Sequence, residues 1–275
     1  MIITPTPDIR VTDDVRELLD SEALRINNKS FIANDPVQFP RRYSRLPDIE
    51  IAALLSATIA WGNRTMICRD CDRMLSLMES SPHAFVMDGA YEQLDPDRNV
   101  HRTFFNRNLQ YYLRGLRAIY SRYPSLADWA HDRGVALSEA PAWKLARCLS
   151  AELADANGGM PDSRCLPVNI DKTALKRINM ALRWLVRNDG IVDMGVWTFM
   201  KPSQLYIPLD VHVGNVSREL GLLTRRQDDR KAVDELTSVM RSLRPDDPAI
   251  YDYALFGIGI GAKATAGDTS GQTAP

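Results

Sequence analysis

The stretch that most limits what this chain can fold into is Ile49 to Trp61, an almost wholly apolar run preceded by Asp48. A helix capped by that aspartate fits the run. Because such a helix is apolar on every side, it has to lie at the centre of the protein, enclosed by other elements. It ends at Gly62-Asn63-Arg64, the first polar residues after the buried run, which therefore emerge into a cleft or onto the surface.

The remaining segments supply the enclosing elements. Thr12-Asp13-Asp14 is a helix-start signal, and Val15, Leu18, Leu19 and Leu24 follow at helical spacing. Prolines at 36, 40 and 47 break what comes next into loop. Helices are predicted over about 64–79, 98–123, 138–156, 171–187 and 227–243. A last one starts at Asp247-Pro248 and runs through Tyr253, Phe256 and Ile258. No alternating run long enough for a convincing strand is present, and no internal repeat, so the predicted class is all-α. The chain divides into an N-terminal helical extension (1–30), a helical domain (31–262) and a small, polar tail (263–275) predicted to be disordered.

Charge and cysteine content exclude several function classes. The net charge is −1, which gives no global attraction to nucleic acid but leaves room for a local basic face. No apolar run approaches the roughly 20 residues of a membrane span, and the N-terminus lacks a signal pattern. A cytoplasmic location and no membrane partner are expected. Cys68, Cys71, Cys148 and Cys165 are too scattered for a disulfide framework. Cys68 and Cys71 share a helix face. They read as a half-buried thiol pair, the alternative being a metal or redox site.

One short segment points to chemistry. In Leu205-Tyr-Ile-Pro-Leu-Asp210-Val-His212-Val an apolar approach ends on one acid; Pro208 fixes the backbone, Asp210 is the natural N-cap, and Gly221 closes the helix. The carboxylate has two available jobs. It can simply cap, contributing about 1 kcal/mol. Alternatively, fixed at a helix start, it is preorganised to face a developing positive charge.

Pro208-Leu-Asp210-Val-His212-Val, followed by Leu220-Gly221-Leu222, resembles a segment of the helix-hairpin-helix DNA glycosylase superfamily. Phe39-Pro-Arg-Arg-Tyr43, residues 176–187 and residues 251–260 resemble a bacterial family of unassigned function placed near those enzymes, over roughly residues 30 to 262. The resemblance implies a two-lobed helical bundle with a cleft between the lobes. It also implies a base-excision-repair glycosylase, with or without AP lyase activity, that takes a damaged purine such as 8-oxoguanine out of duplex DNA. By the same resemblance Asp210 is the catalytic carboxylate and Lys176 the amine that forms a Schiff base with the sugar. The layout is most similar to archaeal 8-oxoguanine glycosylases. Those match Met180, one turn after the lysine, and Asp252 and Phe256 on the last helix as the base pocket, with Trp61 and Asn63 as further candidates.

Lys176, Met180, Arg183 and Arg187 are predicted to align on one face of their helix, mostly cationic. With Arg64, Arg177 and His212 these arginines are the candidate nucleic-acid contacts. No cofactor and no metal are implied; an iron–sulfur cluster would need four closely spaced C-terminal cysteines, and none follows Cys165. Damaged duplex DNA is the expected partner of a monomer. The chain departs from the superfamily in lacking a Leu-Pro-Gly-x-Gly turn ahead of the lysine, the device whose backbone N–H groups hold a phosphate. Residues 98–122 hold six arginines among aromatics and no acid. They read either as a phosphate track or as a core helix with a solvated arginine face, and the track supports an alternative function as a non-catalytic DNA- or RNA-binding protein.

Overall fold

The computed structural model of the chain describes residues 9–79 and 81–268, with side chains described as far as Ile260. These residues are mostly helical. The helices are α1 (Asp13–Ile26), α2 (Lys29–Ile32), α3 (Leu46–Thr58), α4 (Arg64–Ser76), α5 (Pro82–Asp88), α6 (Asn106–Tyr120), α7 (Leu126–Asp132), α8 (Pro141–Asp155), α9 (Lys176–Val186), α10 (Val211–Glu219), α11 (Arg230–Leu243) and α12 (Tyr251–Asp268). Short 3-10 turns and loops join them. Among the described residues the one sheet is a hairpin, β1 (Asn99–His101) against β2 (Phe104–Phe105). No described helix is long and apolar enough to cross a membrane.

α3 is the buried central element that its composition predicts, with every residue from Asp48 to Thr58 enclosed. It starts earlier than expected, at Leu46, with Pro47 in its first turn. Asp48 is therefore inside the helix, where its carboxylate accepts the His83 N–H at 2.7 Å and ties α3 to α5 instead of capping. α9 packs along α3, α8 along α6, and α12 receives both α1 and α10. Leu19 and Ala23 of α1 are fully buried, and the Tyr251 hydroxyl donates to Asp20 at 2.8 Å, so the N-terminal extension is part of the core.

Several boundaries differ from the sequence reading for local reasons. Residues 99–105 form the hairpin, each strand too short for alternation to show. Its Arg102 sits at φ +48°, close over Gly62, where a Cβ would collide with the guanidinium. Residues 170–172 make a 3-10 turn, and the following helix starts only at Lys176. α8 starts at Pro141 because Ser138 turns back on Ala140 N instead of capping. At the C-terminus α12 continues to Asp268, into the stretch expected to be a disordered tail, where Ala262, Ala264 and Ala266 favour helix. Residues 269–275 of that tail lie outside the described residues.

The enclosure of α3 carries a second carboxyl group with it, deeper than Asp48. Glu50 has no exposed surface. Its Oε1 accepts from Ala127 N and Trp197 Nε1, both at 2.8 Å, and its Oε2 from Leu126 N at 2.8 Å and the Tyr120 hydroxyl at 3.1 Å. Burial pushes its pKa up to about 7, against the pull of those donors. An amide at this position would turn one acceptor oxygen into a donor facing two donors. Glu50→Gln should cost roughly 2 kcal/mol or more of unfolding free energy, read from denaturant melts of variant and wild type.

Candidate active site

The site is built where two helix starts meet. Leu175 stands at φ +52°, ψ +38°, a left-handed conformation uncommon for a side chain of its size, so the chain turns sharply and α9 opens on Lys176 without a side-chain cap. The Asn179 amide donates to Ala174 O at 3.0 Å and holds that turn from inside. α10 starts at Val211, with its approach pinned by Ile207 N–H donating to Thr237 Oγ1 at 3.1 Å. Asp210 is its N-cap.

The two oxygens of Asp210 do different work. Oδ1 accepts from His212 N and Val213 N, each at 3.0 Å. Oδ2 lies 3.0 Å from Lys176 Nζ. The sequence left capping and chemistry as alternatives, and the geometry permits both at once. Burial acts to raise the Asp210 pKa, but the Lys176 ammonium and the capping N–H groups outweigh it, and the net shift is downward. The carboxylate is thus ionised across the neutral range.

Two cavities share this pair as a common wall. The larger, about 620 Å³, is lined by Trp61, Thr103, Arg164, Pro167, residues 173–178, Asp210 and His212. The smaller, about 210 Å³, is lined by Phe31, Asp35, Arg64, Lys176, Met180, Asp210, Asp252 and Phe256 among others. Met180, Asp252 and Phe256 therefore face one space with Lys176 and Asp210. Trp61 lines only the larger cavity, edge-on to His101 with ring centroids 4.8 Å apart. Asn63 lines neither; its side chain caps α4 by accepting Met66 N at 3.1 Å.

The candidate cations divide. His212 lines both cavities. Arg177 is half-buried over the Trp61 ring and donates to Thr58 O at 2.9 Å and Arg164 O at 3.1 Å. Arg64 lies within the smaller cavity's wall, paired with Asp35. Arg183 and Arg187 are not on a solvated face, as the helical stripe implied: they are 4% and 3% exposed. Arg183 pairs with Asp193 at 3.3 Å and with Asp252, while Arg187 pairs with Asp189 at 2.6 Å, Asp193 at 3.0 Å and Asp247 at 2.8 Å. That face of α9 is turned against α12 and the 189–193 loop, which supply acids the helix's own sequence could not reveal.

In the basic stretch, Arg107 pairs with Asp97 at 2.5 Å, Arg114 with Glu92 at 2.5 Å and Arg122 with Glu152. Arg107 and Arg114 stand on α6, whose apolar stripe is core, and these three partly exposed arginines pair with acids at the surface. Cys68 is half-buried beside Cys71, which is fully buried; both are free thiols whose pKa burial raises. No group of three or more His, Cys, Asp or Glu among the described residues is placed to hold a metal ion.

Sequence reasoning missed Phe31, Asp35 and Asp193. Asp35-Pro36 reads as a turn, and Asp35 does serve one by accepting Val37 N at 3.0 Å, but its partner Arg64 is 29 residues away. Asp193 offered a signal: an isolated acid between Val192 and Met194 needs a buried cation.

Residues 35–261 match the family described as "Protein of unknown function (DUF2400)", and the chain belongs to that family. No curated protein and no solved structure matches it.

Two predictions separate the duties of the acids. Asparagine caps as well as aspartate, and the Lys176–Asp210 pair is about one-third exposed on each side. Asp210→Asn should therefore change stability by less than about 1 kcal/mol, and Asp210→Ala should cost about 1 kcal/mol more, in denaturant unfolding. Asp252 is raised to about 6, first by burial and further by the Asp210 and Asp193 carboxylates, against Arg183 and Lys176. A carboxyl that holds its proton more tightly folded than unfolded favours the fold only at low pH. Relative to Asp252→Asn, wild-type stability should fall as pH rises from about 4 to about 6 and level off above, in unfolding curves taken across that range.

Proposed function

We propose that the chain is a DNA base-excision glycosylase with lyase activity, with Lys176 as the nucleophile and Asp210 as the catalytic carboxylate. The observation that carries this reading is the meeting of Nζ and Oδ2 at 3.0 Å, from residues 34 apart in sequence, on the shared wall of two cavities. A structural ion pair has no need of such a position. A group that acts where a base joins its sugar does: the base enters one cavity and the strand lies in the other.

On this reading the fold is of the helix-hairpin-helix glycosylase type, with two helical lobes facing across the cleft. A flipped damaged purine, such as 8-oxoguanine, occupies the smaller cavity between Met180 and the Phe256 wall, beside Asp252. As the bond from C1′ to the base nitrogen stretches, C1′ becomes cation-like, and ionised Asp210 faces it from a rigid helix start. Lys176, once its proton has passed to Asp210, attacks C1′. The bond to the base breaks with its electron pair leaving on the base, which takes up a proton. The adduct nitrogen, which still carries two protons, passes one to O4′ as the C1′–O4′ bond breaks and the sugar ring opens, and the nitrogen pair closes the C1′=NH+ bond of a protonated Schiff base.

The missing glycine-rich turn has a local substitute. The first turn of α9 carries no side-chain cap, and residues 173–178 line the larger cavity together with Arg164 and His212. Backbone N–H groups at an uncapped helix start suit a phosphate.

Borohydride trapping on duplexes carrying 8-oxoguanine and a panel of other lesions tests the proposal. Wild type should yield a covalent adduct and release base. Lys176→Gln should form no adduct, and Asp210→Asn should slow base release roughly 100-fold or more. No adduct and no base release by wild type across the panel would overturn it.

A further inference from the structure

One wall of the smaller cavity is left unused by the chemistry at Lys176 and Asp210. Arg64, the first residue of α4, has its guanidinium 4.8 Å from the centroid of the Phe31 ring and 4.4 Å from that of Phe256. The two rings meet edge-on, 5.6 Å apart at 84°. Asp35 accepts from Nη2 at one end of the guanidinium. Asn63 caps the helix at the preceding residue and fixes the backbone from which the side chain leaves. A planar cation is thus packed in the corner of two edge-on rings and anchored at one nitrogen, an arrangement that holds it in one orientation.

The anchoring differs from that of the neighbouring arginines in the number of carboxylates met. Arg187 meets three carboxylates and Arg183 two. A guanidinium carries five N–H donors. Arg64 gives Nη2 to Asp35, while its Nε and Nη1 have no partner among the described residues, and a third of the side chain remains exposed on the cavity it lines. Arg183 and Arg187 also leave Nη2 without a hydrogen bond among the described residues, but they are sealed from solvent, whereas Arg64 keeps oriented donors on the wall of a cavity.

We infer that Arg64 is the specificity-determining residue of this cavity, donating its free N–H groups to the carbonyl oxygen at C6 of an oxopurine. The inference rests on the reading of the smaller cavity as a base pocket. A guanidinium has no acceptor. It therefore pairs with a 6-oxo group and is mismatched with the donor amino group that a 6-aminopurine carries at the same place. A site that hydrogen-bonds one exocyclic group rejects the analogue lacking it, because a buried donor is left unpaired.

The test is a ratio of excision rates on two duplexes whose lesions differ only in the C6 group and the N1 proton that goes with it, one with 8-oxohypoxanthine and one with 8-oxoadenine. Wild type should favour the 6-oxo base. Arg64→Met, which keeps apolar bulk against the rings but no donor, should lower that preference about tenfold, and Arg64→Lys, which keeps a donor, should restore part of it. Because both rates are taken on one preparation, partial misfolding of a variant cancels in the ratio. Equal loss of both activities in Arg64→Met with the ratio unchanged would overturn the inference while leaving the glycosylase reading intact, and so would a wild type without preference. A wild type inactive on both duplexes would remove that reading and the inference with it.

Discussion

The position of Lys176 depends on a buried set of charges two and three turns further along its helix. Arg183 and Arg187 lie on the same side of α9 as Lys176, and both are engaged by carboxylates from outside the helix: Asp193 and Asp189 from the following loop, Asp247 and Asp252 from the start of the last helical segment. Apolar packing is tolerant of small rotations of a helix about its axis. Charge pairs taken out of water are not, since a misplaced buried charge costs several kcal/mol. The network therefore sets the rotation of α9 and, through it, the direction in which Nζ leaves the helix.

Its composition also reaches the cavity. Four carboxylates surround two guanidiniums, so negative charge is in excess, and the excess falls on the members with least access to water. Burial and neighbouring acids together raise Asp252, whereas Asp210, capped by N–H groups and paired with Lys176, shifts downward. Two acids in one cavity are thereby driven apart in proton affinity. On the proposed reading the more acidic member faces the sugar and the other, held by Arg183, faces the base.

How much of this was legible in the sequence differs element by element. α3 declared its burial because no face of it is polar, and Asp210 declared its cap because a lone acid followed a proline-fixed approach. The helical stripe of α9 was visible too, but its partners were not: periodicity shows that Arg183 and Arg187 share a face, and only the fold shows that this face meets acids. The late start of α9 was hidden for a related reason. Residues 171–175 have acceptable helix propensity, and it is the packing of the 170–172 turn against α8 and α11 and the left-handed turn at Leu175 that override it. Arg64 was legible as an emerging polar residue, but neither its pairing with Asp35 nor its two ring contacts had any local trace, because they join three separate segments.

The cap at Asp210 bears on why a reactive carboxylate would sit there. A side chain with one oxygen committed to two backbone N–H groups has lost most of its rotamer freedom before any ligand arrives, and the second oxygen inherits that fixity. The same N–H groups add to the hold of the Lys176 ammonium on its ionised form, so one interaction serves both orientation and charge. The opposing amine is fixed by different means, through the Leu175 turn and the buried network behind it. Each group is held by bonds that do not involve the other. A ligand that separated Nζ from Oδ2 would therefore disturb the contact between them without loosening either helix start, and a site whose central ion pair must open to admit its substrate requires that independence.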